Sequence, residues 1–188
     1  MKKNIVILIS GRGSNLKSII NATKKINYPA TISLVISDTI KAQGLIVAKD
    51  NGINNLVIER NSFKSKDEFE KILIEKIIQH NPSLICLAGF MRILSKNFIE
   101  KFKDKIINIH PSLLPKYKGL NTHEKAINSG DEYSGCTVHY VTKELDDGEI
   151  IAQQSVIITS DDTIHTLSEK VLKLEHKLYP KVIKKLLS

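Results

Sequence analysis

The first half of the chain alternates short apolar runs with segments of helical spacing. Residues 4–9 read as a strand, and Leu16, Ile19 and Ile20 mark a helix that starts just after it. Ile32 to Ile36 predict a second strand that ends at Ser37-Asp38, followed by a helix over residues 42–50 that Gly52 closes. A third strand around Leu56-Val57-Ile58 precedes a helix over residues 66–80, with Phe69, Ile72, Leu73, Ile77 and Ile78 on its apolar face. Asn81-Pro82 breaks that helix. Ser83 to Ala88 is then near-continuously apolar, as expected of a strand covered on both faces. Four βα units in succession predict a parallel sheet with right-handed crossovers.

The second half changes character. Lys105-Ile106-Ile107 opens a strand that carries Asn108 and His110 and stops at Pro111, because proline cannot donate to a sheet ladder. A loop rich in Pro, Lys, Gly and Asn runs to Asn121, and a short helix over residues 122–129 carries His123. Residues 137–141 alternate like a strand exposed on one side, and Ile150 to Ile157 resume the sheet after a connection too short for a crossover. That spacing predicts an antiparallel pair. Residues 163–187 form a long amphipathic helix containing Pro180. The expected fold is α/β: an open, mostly parallel, Rossmann-like twisted sheet with an antiparallel pair in its C-terminal half and a long C-terminal helix. Residues 1–188 are expected to form a single domain.

Composition narrows the classes. With 41% hydrophobic and 26% charged residues, the chain has the profile of a soluble globular protein. No apolar run approaches a membrane span, and the two cysteines lack metal-ligand spacing. Cys86 lies within Leu84 to Ala88 and reads as a buried, inert thiol, which fits a reducing cytoplasm. The net charge of +8 comes from lysines interleaved with acids along helical stretches, and aromatic residues are few. Solvated helix faces account for that charge better than a nucleic-acid surface does, and the excess favours approach of an anionic substrate.

Three stretches carry candidate chemistry. Ser10-Gly11-Arg12-Gly13-Ser14-Asn15 joins a strand to a helix start, where backbone N–H groups and the helix dipole can hold a phosphate. Ser14 and Asn15 can hydrogen-bond that phosphate or cap the helix. Leu16 stands where a dinucleotide fingerprint needs its third glycine, so NAD binding is disfavoured. After the fourth strand, Gly89 permits close backbone approach, and Met91, Ile93 and Leu94 either line a flat apolar pocket or begin the next helix. Asn108 and His110, two apart on a strand, project from one face at its carboxyl end, where ligands bind in open α/β sheets. An acid from Asp146-Asp147-Gly148 beside His110 would raise its pKa, and a protonated His110 next to the Asn108 amide would be a donor pair for a developing oxyanion. No serine or cysteine sits in a nucleophile elbow, so the nucleophile comes from a substrate. The implied reaction is acyl transfer between two bound molecules, one held by its phosphate. His139 and His165 read as structural or exposed histidines, and Asp38 as a turn residue.

These residues resemble a known family. Gly11-Arg12-Gly13-Ser14-Asn15-Leu16, Leu87 to Leu94, Asn108 to Pro115 and Glu144-Leu145-Asp146-Asp147-Gly148 occur in the order found in the phosphoribosylglycinamide formyltransferases, folate-dependent formylases of purine biosynthesis. The resemblance covers essentially the whole chain. It implies formyl transfer from 10-formyltetrahydrofolate to the amine of glycinamide ribonucleotide, with no metal. Asn108 and protonated His110 would stabilise the tetrahedral intermediate, and Asp146 would raise the His110 pKa. Gly13, Ser14 and Asn15 would bind the ribonucleotide phosphate, with Glu175 as a further acceptor contact. Met91, Arg92, Ile93 and Leu94 would contact the folate, together with Asn108 and Lys66. The resemblance implies a cytoplasmic monomer or homodimer with small-molecule substrates and no nucleic-acid or membrane partner. Arg12 and Asn121 depart from the family pattern, which commonly has a small polar residue and a histidine there. The competing readings are a methionyl-tRNA formyltransferase-like enzyme, a formyltetrahydrofolate hydrolase, and a nucleotide-binding protein without chemistry.

Overall fold

A computed structural model describes residues 1–188. Five strands, β1 (Lys3–Ile9), β2 (Ala30–Ser37), β3 (Asn55–Val57), β4 (Leu84–Leu87) and β5 (Ile106–His110), run parallel, and β6 (Tyr133–Tyr140) and β7 (Ile150–Ile157) complete the sheet antiparallel to their neighbours. The order across the sheet is β3-β2-β1-β4-β5-β6-β7. The direction of winding therefore reverses between β1 and β4, which opens a crevice at their carboxyl ends. Six helices accompany the sheet: α1 (Ser14–Thr23), α2 (Gly44–Asp50), α3 (Lys66–Gln79), α4 (Lys96–Lys101), α5 (Thr122–Asn128) and α6 (Ile164–Leu187). The expected α/β architecture, antiparallel C-terminal pair and long final helix are all present. None of the helices is long and apolar enough to cross a membrane.

Strand alternation divides the interior into two cores. Ile5, Ile7 and Ile9 join Leu16, Ile19 and Ile20 of α1 and Val171, Tyr179 and Ile183 of α6 on one face. Val6 and Leu8 join Phe69, Leu73 and Ile77 of α3 and Phe98 of α4 on the other. This two-sided burial is why β1 and β4 read as unbroken apolar runs. Tyr179 is fully buried, and its hydroxyl lies 3.0 Å from both the Leu87 and Ile107 carbonyls, which ties α6 to the centre of the sheet. Burial pushes the nearby Cys86 thiol up to about 12, so it is inert as expected.

Two expectations fail here. Thr137 and His139 are not on an exposed face of β6: both are almost fully buried. Ile107, Ile109, Cys136 and Val138 pack in the core under α6, so the alternate residues Asn108, His110, Thr137 and His139 share the opposite face. On that face α3 and α4 supply the helical core partners, and they pack over the parallel half. Over β5 and β6 the cover comes from loops. Thr137 Oγ1 donates to the Ser112 carbonyl at 2.6 Å, accepts from Leu114 N at 3.1 Å and lies 2.9 Å from Gln153 Nε2. A polar strand face can thus be buried without being apolar. Asp38, in turn, is no simple turn residue. It is buried at the end of β2, and its carboxylate pairs with Arg92 Nε of the loop after β4.

Candidate active site

The reversal crevice is built from the turn after β1 and the loop after β4, which are stitched together. Ser10 N donates to the Gly89 carbonyl at 3.0 Å, and Met91 N donates to Ser10 Oγ at 2.9 Å. Gly13 has φ 76°, and a Cβ there would lie 2.5 Å from Gly44 Cα. Its glycine character is thus needed for the left-handed turn and for contact with the start of α2, rather than to admit an anion directly. Lys17 N is the first amide of α1 to bond within the helix, to Gly13 O at 2.9 Å, and no side chain caps the helix. The amides of Ser14, Asn15 and Leu16 therefore lack intrahelical partners, a ready anion site. Ser14 and Asn15 do not act as caps. Arg12 is exposed to solvent.

Asn15 is instead drawn to α6. Its Nδ2 donates to Glu175 Oε2 at 2.6 Å, and its Oδ1 is buried with no partner. Burial pushes the Glu175 carboxyl up to about 6, against the opposing effect of the Asn15 hydrogen bond. The structure thus brings together two residues 160 positions apart that the family resemblance assigns to the same ligand.

The segment between Gly89 and Leu94 does not begin a helix, since Ser95 caps α4 by accepting from Phe98 N. Met91 and Ile93 are 67% and 65% exposed, whereas Leu94 turns into the core beneath α4. Two large apolar side chains left in solvent on one short loop suit an apolar ligand face. Arg92 is held by Asp38. Lys66 begins α3 and lies 3.9 Å from Glu70, whose carboxylate in turn accepts from Ser95 N and Oγ at the end of the same loop. Lys66 makes no contact with Asn108 or His110.

At the end of β5, His110 is held from both sides. Its Nε2 lies 2.9 Å from the Tyr117 carbonyl and its Nδ1 lies 3.3 Å from Asp146 Oδ2. A carbonyl only accepts, so Nε2 carries a proton. Asp146 is the acid that faces the ring, while Asp147 is exposed and pairs with Lys118. Burial alone would raise the Asp146 carboxyl. The nearby His139 ring, a hydrogen bond from the Gly119 amide and the charge of the His110 ring hold it below the usual carboxylate range. The expected rise in the His110 pKa does not occur. Asp146 and the Tyr117 carbonyl do act upward, but burial outweighs them and the net direction is down. Each ring nitrogen nevertheless faces an acceptor, the Tyr117 carbonyl at Nε2 and the Asp146 carboxylate at Nδ1.

His139, read from sequence as structural, belongs to this cluster. It sits directly opposite Asn108 in the β5–β6 register. Its Nδ1 donates to the Tyr140 carbonyl at 2.8 Å, and its Nε2 lies 3.4 Å from Asn108 Nδ2 and 3.6 Å from Asp146 Oδ1. The signal was present, because an antiparallel β6 with His139 two residues after Thr137 pairs one polar face with another. His123 on α5 is also close. Burial and the neighbouring His110 ring hold its pKa below the ordinary value. Asn121, at the N-cap position of α5 but without a side-chain capping bond, has φ 60°, a conformation asparagine tolerates better than most residues.

This arrangement of an anion-ready helix start, an exposed apolar loop and an Asn-His-Asp cluster can be set beside known proteins. Residues 3–183 match the profile described as Formyl transferase. The chain belongs to the formyl transferase family. It is 43% identical over 180 residues to the phosphoribosylglycinamide formyltransferase of Escherichia coli strain K12, covering 96% of this chain and 85% of that protein. It is 44% identical over 179 residues to the human trifunctional purine biosynthetic protein adenosine-3, of whose length it spans 18%. The crystal structure of phosphoribosylglycinamide formyltransferase from Brucella melitensis superposes with a TM-score of 0.97 at 43% identity, covering 100% of this chain and 97% of that one.

Proposed function

We propose that this formyl transferase moves the formyl group of 10-formyltetrahydrofolate to the amine of glycinamide ribonucleotide, a step of purine biosynthesis. The observation that carries this reading is the Asn108–His110–Asp146 cluster at the end of β5, in a sheet whose reversal crevice also holds the uncapped start of α1. The names of the relatives matched along nearly their full length favour this acceptor over a tRNA-directed enzyme, a hydrolase or a non-catalytic binding protein.

In this reading the ribonucleotide phosphate accepts from the free amides of α1 near Gly13, with Ser14 and Asn15 adding contacts, while Glu175 contacts the same substrate. Met91 and Ile93 pack on the folate, supported by Arg92 and Leu94, and Lys66 supplies a basic contact. The acceptor amine attacks the formyl carbon, and the carbonyl π pair moves to oxygen. Asn108 donates to that oxygen. The amine proton passes to the His110–Asp146 pair, in which the Asp146 carboxylate stabilises the protonated ring. The bond from carbon to the folate nitrogen then breaks with its electron pair on nitrogen, which takes the proton back from His110. This reading calls for no metal and places the enzyme in the cytoplasm, acting on small molecules rather than nucleic acid or membrane, as a monomer or homodimer.

The test is a spectrophotometric assay with a 10-formyl folate and glycinamide ribonucleotide. Turnover that needs both substrates and disappears in His110→Ala is the expected result. Folate breakdown without the acceptor would replace the reading with a hydrolase.

A further inference from the structure

The loop between β4 and α4 presents Met91 and Ile93 to solvent, yet its backbone is tied down only near its ends. At one end Met91 N donates to Ser10 Oγ, and at the other Ser95 N donates to Glu70 Oε1 at 2.8 Å. From Arg92 to Leu94 no backbone N–H or C=O bonds within the chain. The conformation of this stretch therefore rests on two side chains: Leu94, sunk in the core beneath α4, and Arg92, whose Nε donates to Asp38 Oδ2. Asp38 is a fixed post for that bond. Its carbonyl accepts from Arg60 N at 3.1 Å, and the neighbouring Ser37 Oγ donates to the Thr39 carbonyl at 2.7 Å. The carboxylate is buried, with Arg92 on one oxygen and no partner on the other. In dinucleotide-binding sheets a carboxylate about 20 residues past the glycine turn takes a ribose hydroxyl. Here Arg92 occupies it, so the group serves the loop rather than a ligand.

We propose that Asp38 is a positioning residue for the folate: through Arg92 it fixes the segment from Met91 to Ile93 before the ligand arrives. This inference rests on the proposed role of that loop in folate binding. A preset loop relieves the ligand of the entropy of ordering it, so the Asp38–Arg92 bond acts on affinity. Without that bond the middle of the loop would be free to move, because unbonded backbone opens at little cost. The reacting end is unaffected, since His110 and Asp146 are held by Tyr117, His139 and Gly119, on the far side of β5. Removing Asp38 strands no buried charge either. The Arg92 side chain is 43% exposed, so water can solvate its guanidinium.

Two readouts test this, one of them without turnover. The first is amide hydrogen exchange in the free protein. In Asp38→Ala the Met91 amide should exchange at least about tenfold faster than in wild type. The Ala88 amide, bonded to the Leu8 carbonyl at 2.9 Å, should stay within about twofold. The second readout is kinetic. In the same variant the KM for 10-formyltetrahydrofolate should rise about tenfold, with kcat within about threefold and the KM for the ribonucleotide within about twofold of wild type. Asp38→Asn, whose amide oxygen still accepts from Arg92 Nε, should restore most of the difference. Should Asp38→Ala fail to fold, Asp38→Leu fills the same space without an acceptor and takes the same measurements. Unchanged Met91 exchange, or an unchanged folate KM, in the folded variant overturns the proposal. So does a general loosening of the fold, which would speed both amides and raise both KM values. Faster Met91 exchange in a variant whose parent never transfers formyl groups would keep Asp38 as the anchor of the loop and sink the functional reading instead.

Discussion

The two halves of the sheet place their chemistry differently. In the parallel half, β1, β2 and β4 are apolar along most of their length, and the candidate groups lie beyond strand ends, in turns, loops or helix starts: Gly13 to Asn15 after β1, Asp38 after β2, Lys66 after β3, Met91 to Ile93 after β4. In the antiparallel half the polar residues are inside the strands themselves, with Asn108 and His110 on β5 and Thr137 and His139 on β6. The difference follows from cover. Helices bury both faces of the parallel half, and a helix offers few partners for a polar side chain in the core. One face of β5 and β6 is covered by the loops 111–121 and 141–149, whose carbonyls and amides can satisfy histidine, threonine and glutamine. Where loops form the lid, a strand can carry buried polar residues.

Mutations should separate the halves. The largest effect is expected in the antiparallel cluster, where Asp146→Asn should cut kcat by roughly a hundredfold in a protein that still folds. An unchanged rate would remove Asp146 from the reaction. Next comes Thr137→Val, which keeps the shape but strands the Leu114 amide and the Ser112 carbonyl. It should cost about 1–3 kcal/mol in urea unfolding, a cost that a purely apolar strand face would not show.

In the parallel half, Gly13→Ala sets a Cβ against Gly44 at a positive φ, and should destabilise by about 1–3 kcal/mol while raising the KM for the ribonucleotide. Glu175→Gln is subtler and its sign is the opposite. The folded pKa of about 6 lies above the ordinary 4.5, so the folded chain holds this proton more tightly than the unfolded chain does. The stability linked to Glu175 is therefore full below pH 4.5 and is lost as pH rises through 6. Glutamine removes that loss, so the variant should be more stable than wild type by about 2 kcal/mol at pH 7.5, with weaker acceptor binding. Equal stability at pH 7.5 would mean that Glu175 is not desolvated in solution. The smallest effect is expected at the exposed His165, where alanine should change stability by no more than about 0.5 kcal/mol and leave turnover alone.

The amino-acid sequence determined the element order, because the apolar periods of β1 to β4 and of α1, α3 and α6 are local properties that each segment carries alone. It also determined where strands end in polar, ligand-ready residues, which is why the glycine turn, the loop after β4 and the Asn108–His110 pair were legible as a site. Tertiary structure decided what those residues face. It placed Asp146 rather than Asp147 against His110, paired Asn15 with Glu175 across 160 positions, withdrew Asp38 into a bond with Arg92, and brought His139 opposite Asn108. It also reversed the expected direction of the His110 pKa, since desolvation depends on how much protein surrounds a ring. No local pattern encodes that quantity. Periodicity records what a residue is and how often it recurs, whereas a pairing across the sheet and the dielectric around a side chain exist only once the chain has closed on itself.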